Sequence, residues 1–184
     1  FVVYDDAALR VRDAFPQARL DEVPDGWEER WRSFHRSVRI GPLWVGPPWE
    51  AAPVDACPVV VDPGRAFGTG AHPTTRLCLE LLLAEPAGSV LDLGCGSGVL
   101  AIAAARLGHQ PIVAIDTDIS AVEATRENAD RNGVALDAHR VAPGAEGSWV
   151  ARLVLANISP DVVRALALAS AVERVITSGY LVRD

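Results

Sequence analysis

Beyond residue 72 the chain alternates short apolar runs with longer stretches in which apolar positions recur every three or four residues. The second pattern is that of amphipathic helices, and the first is that of strands buried on both faces. The predicted strands occupy residues 89–93, 111–116, 137–141, 152–156 and 174–182. Strands that alternate with helices in this way are joined by right-handed crossovers into a parallel sheet. The sequence therefore predicts a doubly wound α/β fold.

Capping residues mark the ends of the predicted helices. Polar residues suited to N-caps stand at three helix starts: Thr74, Ser120 and Ser159. Glu123 follows Ser120 at capping-box spacing, and Pro160 lies in the first turn after Ser159. Gly108 and Gly133 stand where two of the helices are expected to end.

The first fifty residues differ in composition from the rest of the chain. They hold four of the five tryptophans: Trp27, Trp31, Trp44 and Trp49. Residues 1–4 predict a short strand and 5–16 a helix, which together are too small to close a core. Residues 25–36 predict a helix with one aromatic face, and 38–49 two strands around a Gly-Pro turn.

Two interpretations of the aromatic residues are open. They form a surface that docks a partner, or they pack this stretch onto the larger domain. We expect residues 1–24 to be an appendage, 25–50 a connector and 51–184 the main domain.

Length, composition and charge narrow the class of protein. A chain of 184 residues with 49% hydrophobic and 22% charged residues fits one globular domain with a small appendage. No apolar run is long enough to span a membrane, and the first residues lack the features of a signal peptide, so we expect a cytoplasmic protein without membrane contact. The net charge of −7 disfavours stable binding to nucleic acid. The three scattered cysteines suggest neither a disulfide framework nor a metal site.

The stretch VLDLGCGSG places a glycine-rich turn after an apolar strand. Asp92 lies near the strand end, and Gly94, Gly96 and Gly98 lead into a helix. The spacing GxGxG is neither the GxGxxG of pyrophosphate binders nor a P-loop. Asp116 ends the next strand, where a carboxylate can accept hydrogen bonds from a ribose diol. A tight turn alone would explain the glycines, but the two carboxylates at matching positions predict a nucleoside ligand bordered by all five residues.

Asn157 follows the apolar strand 152–156 and is expected to lie at the same edge of the sheet. It could instead serve as a helix N-cap. Ser159 and Pro160 already supply that helix start, which leaves Asn157 available for a ligand.

Four segments, in order, carry a resemblance to a known family: DPGRAFGTGAHPTT, LDLGCGSGVLAIAA, AIDTDISAVEATRENADRNGV and VLANI. They resemble the bacterial methyltransferases that modify the eleventh protein of the large ribosomal subunit with S-adenosylmethionine. The resemblance covers residues 25–182, and its FGTGxHPTT segment is close to diagnostic. Compared with that family, we expect residues 1–24 to be a remnant of the substrate-recognition domain and the final antiparallel strands to be absent.

The resemblance implies roles for individual residues. Thr75 and Gly94 would contact S-adenosylmethionine, Asp116 would hold its ribose, and Asn157 would lie beside the transferred methyl group and act in catalysis. Three further residues of the FGTG segment would lie near the cofactor: Phe67, Gly68 and Thr69. His72 would either do the same or serve as a helix-entry residue bonded to backbone.

The resemblance also implies a substrate. This is a basic ribosomal protein, methylated on lysine side chains or on its N-terminal amine. Two alternatives are a methyltransferase for a glutamine amide or a small metabolite, and a binding module without catalysis.

Overall fold

The computed structural model describes residues 14–15, 17, 35–63, 70–142, 150–158 and 172–178. The chain divides into two compact units, residues 1–34 and 35–184. The strand predicted at 1–4, nearly all of the helix at 5–16 and the aromatic helix face lie outside the described residues. The elements below all belong to the second unit.

The described part of this unit forms three helices and eight strands. In chain order they are β1 Val38–Ile40, β2 Leu43–Gly46, β3 Cys57–Val60, α1 Pro73–Leu82, β4 Val90–Leu93, α2 Val99–Arg106, β5 Ile112–Asp116, α3 Ile119–Asn132, β6 Asp137–Arg140, β7 Ala151–Ala156 and β8 Val172–Thr177. None of these helices has the length and apolar composition needed to cross a membrane.

The larger sheet has five strands in the order β6-β5-β4-β7-β8, and every pair is parallel. This confirms the predicted doubly wound α/β fold. Alternate residues of β4 enter different apolar clusters, with Val90 in one and Leu91 and Leu93 in the other. Both faces of the sheet are therefore apolar, as strands without polar alternation predict.

The strand order places a switch point at the centre of this sheet. From β4 the chain moves outward through β5 to β6, and then crosses to β7 on the other side of β4. The next strand after β4 is β5 and the next after β7 is β8, on opposite sides of this central pair. A switch point of this kind is where a crevice forms beyond the carboxyl ends of the two strands.

Two predicted N-caps are wrong. α1 is capped by His72, whose Nδ1 accepts a hydrogen bond from the Thr74 backbone N–H at 3.4 Å. α3 is capped by Asp118, whose carboxylate accepts from the Ser120 N–H at 2.9 Å. In each case a residue two positions earlier has the extended backbone that a cap needs, so Thr74 and Ser120 fall inside the first turn.

Other predicted boundaries are closer to the structure. Gly108 and Gly133 follow the ends of α2 and α3 with positive φ angles of 87° and 61°. β8 begins at Val172, two residues before the predicted start, and residues 179–182 of that predicted strand lie outside the described residues, as does the helix start at Ser159.

A smaller sheet has the order β1-β2-β3. The predicted pair of strands around a Gly-Pro turn is confirmed as the antiparallel β1 and β2, and Gly41 in the turn has a φ of 55°. The sequence did not predict β3, which pairs parallel with β2. Pro58 lies within β3, and proline removes a backbone donor, so it obscures the strand pattern.

A side chain of α3 completes the hydrogen bonding of β3. The Val60 N–H donates to Asn132 Oδ1 at 2.9 Å, and Asn132 Nδ2 donates to the Val60 carbonyl at 2.7 Å. The amide of Asn132 thus pairs with the backbone of Val60 as a neighbouring strand would.

We expect Asn132→Ala to lower the free energy of unfolding by about 2 kcal/mol, because it leaves the partly buried N–H and C=O of Val60 without partners. Urea unfolding followed by circular dichroism would measure the change. Glu127→Ala, an exposed position of the same helix, is the control and should stay within about 0.5 kcal/mol of the parent chain. Equal effects of the two substitutions would contradict the proposed pairing.

Candidate functional site

The crevice at the switch point brings together three predicted features. They are the glycine turn after β4, Asp116 at the end of β5 and Asn157 just after β7. The backbone N–H of Gly96 donates to Asp116 Oδ2 at 3.1 Å. A Cβ atom on Gly94 would lie 2.3 Å from Cγ2 of Ile158. The ends of β4, β5 and β7 are therefore in direct contact.

The glycine turn has a backbone that other residues rarely adopt. Gly94, Gly96 and Gly98 have φ angles of 70°, 54° and 79°. The N–H groups of Gly94 and Cys95 both donate to the Ile115 carbonyl, at 2.8 and 3.0 Å. Since Gly94 also has no room for a side chain, the turn itself requires glycine.

Asp92 lies beneath this turn. Asp92 is only 1% exposed, and its Oδ2 accepts a hydrogen bond from the Ala101 N–H at 3.0 Å. Burial raises the pKa of this carboxyl group to about 7, and the negative charge of Asp116 adds to the effect. Asp92 therefore ties the central strand to the first turn of α2, and the structure does not bring its carboxyl group to the crevice surface. Its contact with a cofactor stays a prediction.

Asp116 presents a half-buried carboxylate at the end of β5. Oδ2 accepts from the Gly96 N–H, and Oδ1 accepts from the Asp118 N–H at 3.0 Å. A carboxylate has about four acceptor positions. Each oxygen thus keeps capacity for a further donor, such as one hydroxyl of a diol.

Asn157 takes part in a chain of four side chains. Its Nδ2 donates to Thr75 Oγ1 at 3.0 Å, and its Oδ1 accepts from the Ser178 hydroxyl at 2.7 Å. The Cys78 thiol donates in turn to Ser178 Oγ at 3.2 Å. The structure therefore joins two predicted residues, Asn157 and Thr75, and adds Ser178 and Cys78.

Ser178 was not among the residues predicted from the sequence. It directly follows β8, as Asn157 directly follows β7, and these two strands are neighbours in the sheet. The predicted strand 174–182 placed Ser178 in its interior; the available signal was the polar Ser178 followed by Gly179, which together indicate an earlier strand end.

Asn128 of α3 links the segment beginning at Asp62 to the glycine turn. This side chain is buried, and its Oδ1 accepts from the Asp62 N–H at 3.1 Å while its Nδ2 donates to the Ser97 carbonyl at 2.9 Å. At the other end of the segment, Thr75 bonds to Asn157. Both described flanks of residues 64–69 are thus tied to the crevice.

Four more residues of this segment were predicted to lie near the cofactor. Three of them lie outside the described residues: Phe67, Gly68 and Thr69. His72 is exposed, and its Nδ1 lies 2.7 Å from Thr74 Oγ1 as well as accepting from the Thr74 N–H. Of its two interpretations, the structure shows the helix-entry residue bonded to backbone.

The cysteines near the crevice are unsuited to nucleophilic chemistry. Burial raises the pKa of Cys95 to about 12 and also raises that of Cys78, so both stay protonated at neutral pH. With Cys57 they are free thiols. Within the described ranges, no group of His, Cys, Asp and Glu side chains is arranged to hold a metal ion.

A parallel sheet with this switch point, a glycine turn after the central strand and a carboxylate at the end of the next strand defines a class I methyltransferase fold. Residues 7–183 match the family model described as ribosomal protein L11 methyltransferase (PrmA). The chain therefore belongs to the ribosomal protein L11 methyltransferase family.

Individual relatives agree with this assignment. The chain is 44% identical over 181 residues to a ribosomal protein L11 methyltransferase of Methylococcus capsulatus, covering 94% of this chain and 61% of that protein. It is 45% identical over 155 residues to one from Vibrio campbellii, covering 81% and 52%. The crystal structure of a ribosomal protein L11 methylase from Lactobacillus delbrueckii superposes with a TM-score of 0.66 at 31% identity, covering 79% and 80%. The chain thus spans between half and two thirds of these two curated relatives.

The buried carboxyl group of Asp92 makes stability depend on pH. Its pKa rises from 3.8 to about 7 on folding, so the folded state holds the proton more tightly. The resulting stabilisation is complete below about pH 4 and is lost as the pH rises through about 7. We expect Asp92→Asn to gain stability relative to the parent chain as the pH rises across this window. Urea unfolding at several pH values tests this, and a difference that does not change with pH would contradict it.

Proposed function

We propose that this chain carries the S-adenosylmethionine-dependent domain of an enzyme that methylates amino groups of ribosomal protein L11. Family membership and the names of its relatives support the substrate. The observation that carries the proposal is the meeting of the glycine turn, Asp116 and the Asn157–Thr75 pair at one switch point. In this proposal residues 51–184 form the methyltransferase domain, 25–50 the connector, and 1–24 belong to the recognition domain. Such an enzyme works in the bacterial cytoplasm, where ribosomal proteins are made.

The polar groups at the crevice fit S-adenosylmethionine. Asp116 would accept the two ribose hydroxyls, and the backbone at Gly94, Gly96 and Gly98 would allow close approach of the cofactor. Phe67, Gly68 and Thr69 would contact the cofactor from the opposite side. Thr75 is fully buried and bonded to Asn157, so it would act there by holding that amide. A carboxylate, an amide and hydroxyls suit a ribose diol and a cationic sulfonium, whereas a polyphosphate would call for basic groups.

Asp92 would act indirectly, by holding the glycine turn in place. Its carboxyl group fastens the turn to α2 from below, so that the glycine backbone keeps the shape the cofactor requires.

When bound, S-adenosylmethionine would supply an electrophilic methyl group: a nitrogen lone pair of the acceptor would form the new N–C bond in line with the breaking S–C bond, whose electron pair would stay on the neutral thioether sulfur. The acceptor amine must be neutral. Deprotonating a lysine at pH 7 costs about 4 to 5 kcal/mol and an α-amine about 1 kcal/mol. Asn157 Oδ1 uses one acceptor position for Ser178, and the other is available for an N–H of the amine. This contact would orient the lone pair toward the methyl group.

Methyl transfer to purified L11 is the direct test. We expect the chain to add methyl groups from labelled S-adenosylmethionine to lysine side chains or the N-terminal amine of L11, located by peptide mass spectrometry. The chain itself contains no lysine, so every methyl-lysine found belongs to the substrate. L11 incubated with cofactor alone is the control.

Other results would overturn the substrate or the reaction. Methylation of a glutamine amide or a small metabolite, with L11 unmodified, would favour a different acceptor. Failure to bind S-adenosylmethionine in calorimetry would indicate a module without this activity.

Asp116 at the end of β5 and Asn157 just after β7 should have separable roles. Asp116→Asn removes the charge that the ribose contacts and should weaken cofactor binding by about tenfold or more. Asn157→Ala should lower kcat by about tenfold or more while changing cofactor affinity far less. Calorimetry with the cofactor and initial rates with L11 measure the two effects. Asp130→Asn, an exposed carboxylate on α3, is the matched control, and parallel losses in both assays for Asn157→Ala would contradict the assignment.

A further inference from the structure

The hydrogen-bond chain around Asn157 has a consistent direction. The Cys78 thiol donates to Ser178 Oγ, the Ser178 hydroxyl donates to Asn157 Oδ1, and Asn157 Nδ2 donates to Thr75 Oγ1. The two inner members, Ser178 and Asn157, each accept on one side and donate on the other. Bonds arranged in this way polarise and strengthen one another.

This direction selects one orientation of the Asn157 amide. Of the two partners of the Ser178 hydroxyl, the Cys78 sulfur is a weak acceptor and the Asn157 oxygen a strong one. A flipped amide would offer its NH₂ group to Ser178 and leave the hydroxyl hydrogen only the sulfur to bond. The oxygen of Asn157 therefore faces β8, and its nitrogen faces α1.

Burial protects the orienting bond from water. Ser178 is 7% exposed, and Thr75 and Cys78 are fully buried. Asn157 itself is half-buried at the end of β7. The Asn157 amide is thus held by buried neighbours, while the exposed part of the Asn157 side chain can contact a substrate.

We propose that Ser178 is a positioning residue for methyl transfer: its hydroxyl fixes the Asn157 amide so that the second acceptor position of Oδ1 faces the incoming amine. The inference rests on the proposed function, in which Asn157 orients that amine. Ser178 acts through Asn157 and touches neither cofactor nor substrate. Its removal should therefore reduce turnover and spare cofactor binding.

Substitutions at Ser178 test this role. We expect Ser178→Ala to lower kcat with L11 by about tenfold, the size of one lost hydrogen bond, and to leave the Kd for S-adenosylmethionine within about twofold. Ser178→Thr keeps the hydroxyl and should restore most of the lost rate. In a chain that already carries Asn157→Ala, adding Ser178→Ala should cause no further loss, because the two residues act as one unit.

A second measurement does not depend on activity. The side-chain amide resonance of Asn157 in an isotope-labelled chain, assigned by its absence from Asn157→Ala, reports how firmly the amide is held. We expect its hydrogens to exchange with water faster in Ser178→Ala than in the parent chain or in Ser178→Thr. Thermal unfolding of each variant controls for global destabilisation.

The outcomes separate the two hypotheses. If the parent chain transfers no methyl group to L11, the proposed function fails, and the amide exchange still decides whether Ser178 holds Asn157. If transfer occurs, equal losses of kcat and cofactor affinity in Ser178→Ala, or additive losses in the double variant, would overturn the positioning role. Unchanged amide exchange in Ser178→Ala would also overturn it.

Discussion

The turn after β4 is the constraint on which the site depends, and it is held from three directions. From below, the buried carboxyl group of Asp92 accepts the Ala101 N–H of α2. From the side, the Ile115 carbonyl of β5 receives two N–H groups of the turn. From the next strand end, Asp116 receives the N–H of Gly96. The turn thereby sets the distance between the central strand, its neighbour and the helix that follows, and every candidate cofactor contact is placed relative to it.

The side-chain amides of three asparagines connect segments that are far apart along the chain. Asn132 pairs with β3, Asn128 connects Asp62 with the glycine turn, and Asn157 links Thr75 with Ser178. An amide donates and accepts at once, and burying it carries no penalty for a charge once it is hydrogen-bonded. Asn128 and Asn157 fasten the flanks of residues 64–69 and the ends of β7 and β8 at the crevice, and Asn132 fastens the smaller sheet to α3.

Features that depend on neighbouring residues were predictable from the sequence. Apolar runs set β4, β5 and β7, because a parallel strand buried on both faces needs apolar residues at successive positions. Gly94 and Gly98 were recognisable because a turn with positive φ favours glycine. The caps were less certain, since His72 and Asp118 each compete with a suitable residue two positions later, and the backbone path decides between them.

Local pattern therefore determined the strands of the five-stranded sheet, the doubly wound fold class and the position of the crevice, because periodicity and turn chemistry act over a few residues. Tertiary structure alone decided which side chains meet there. Ser178 and Asn157 are 21 residues apart, Thr75 and Asn157 are 82 apart, and Cys78 and Ser178 are 100 apart. The raised pKa of Asp92 has the same origin, because it follows from burial at the centre of the sheet. Hydrogen-bond partners and solvent exclusion arise from packing between distant segments, which the order of residues along the chain does not display.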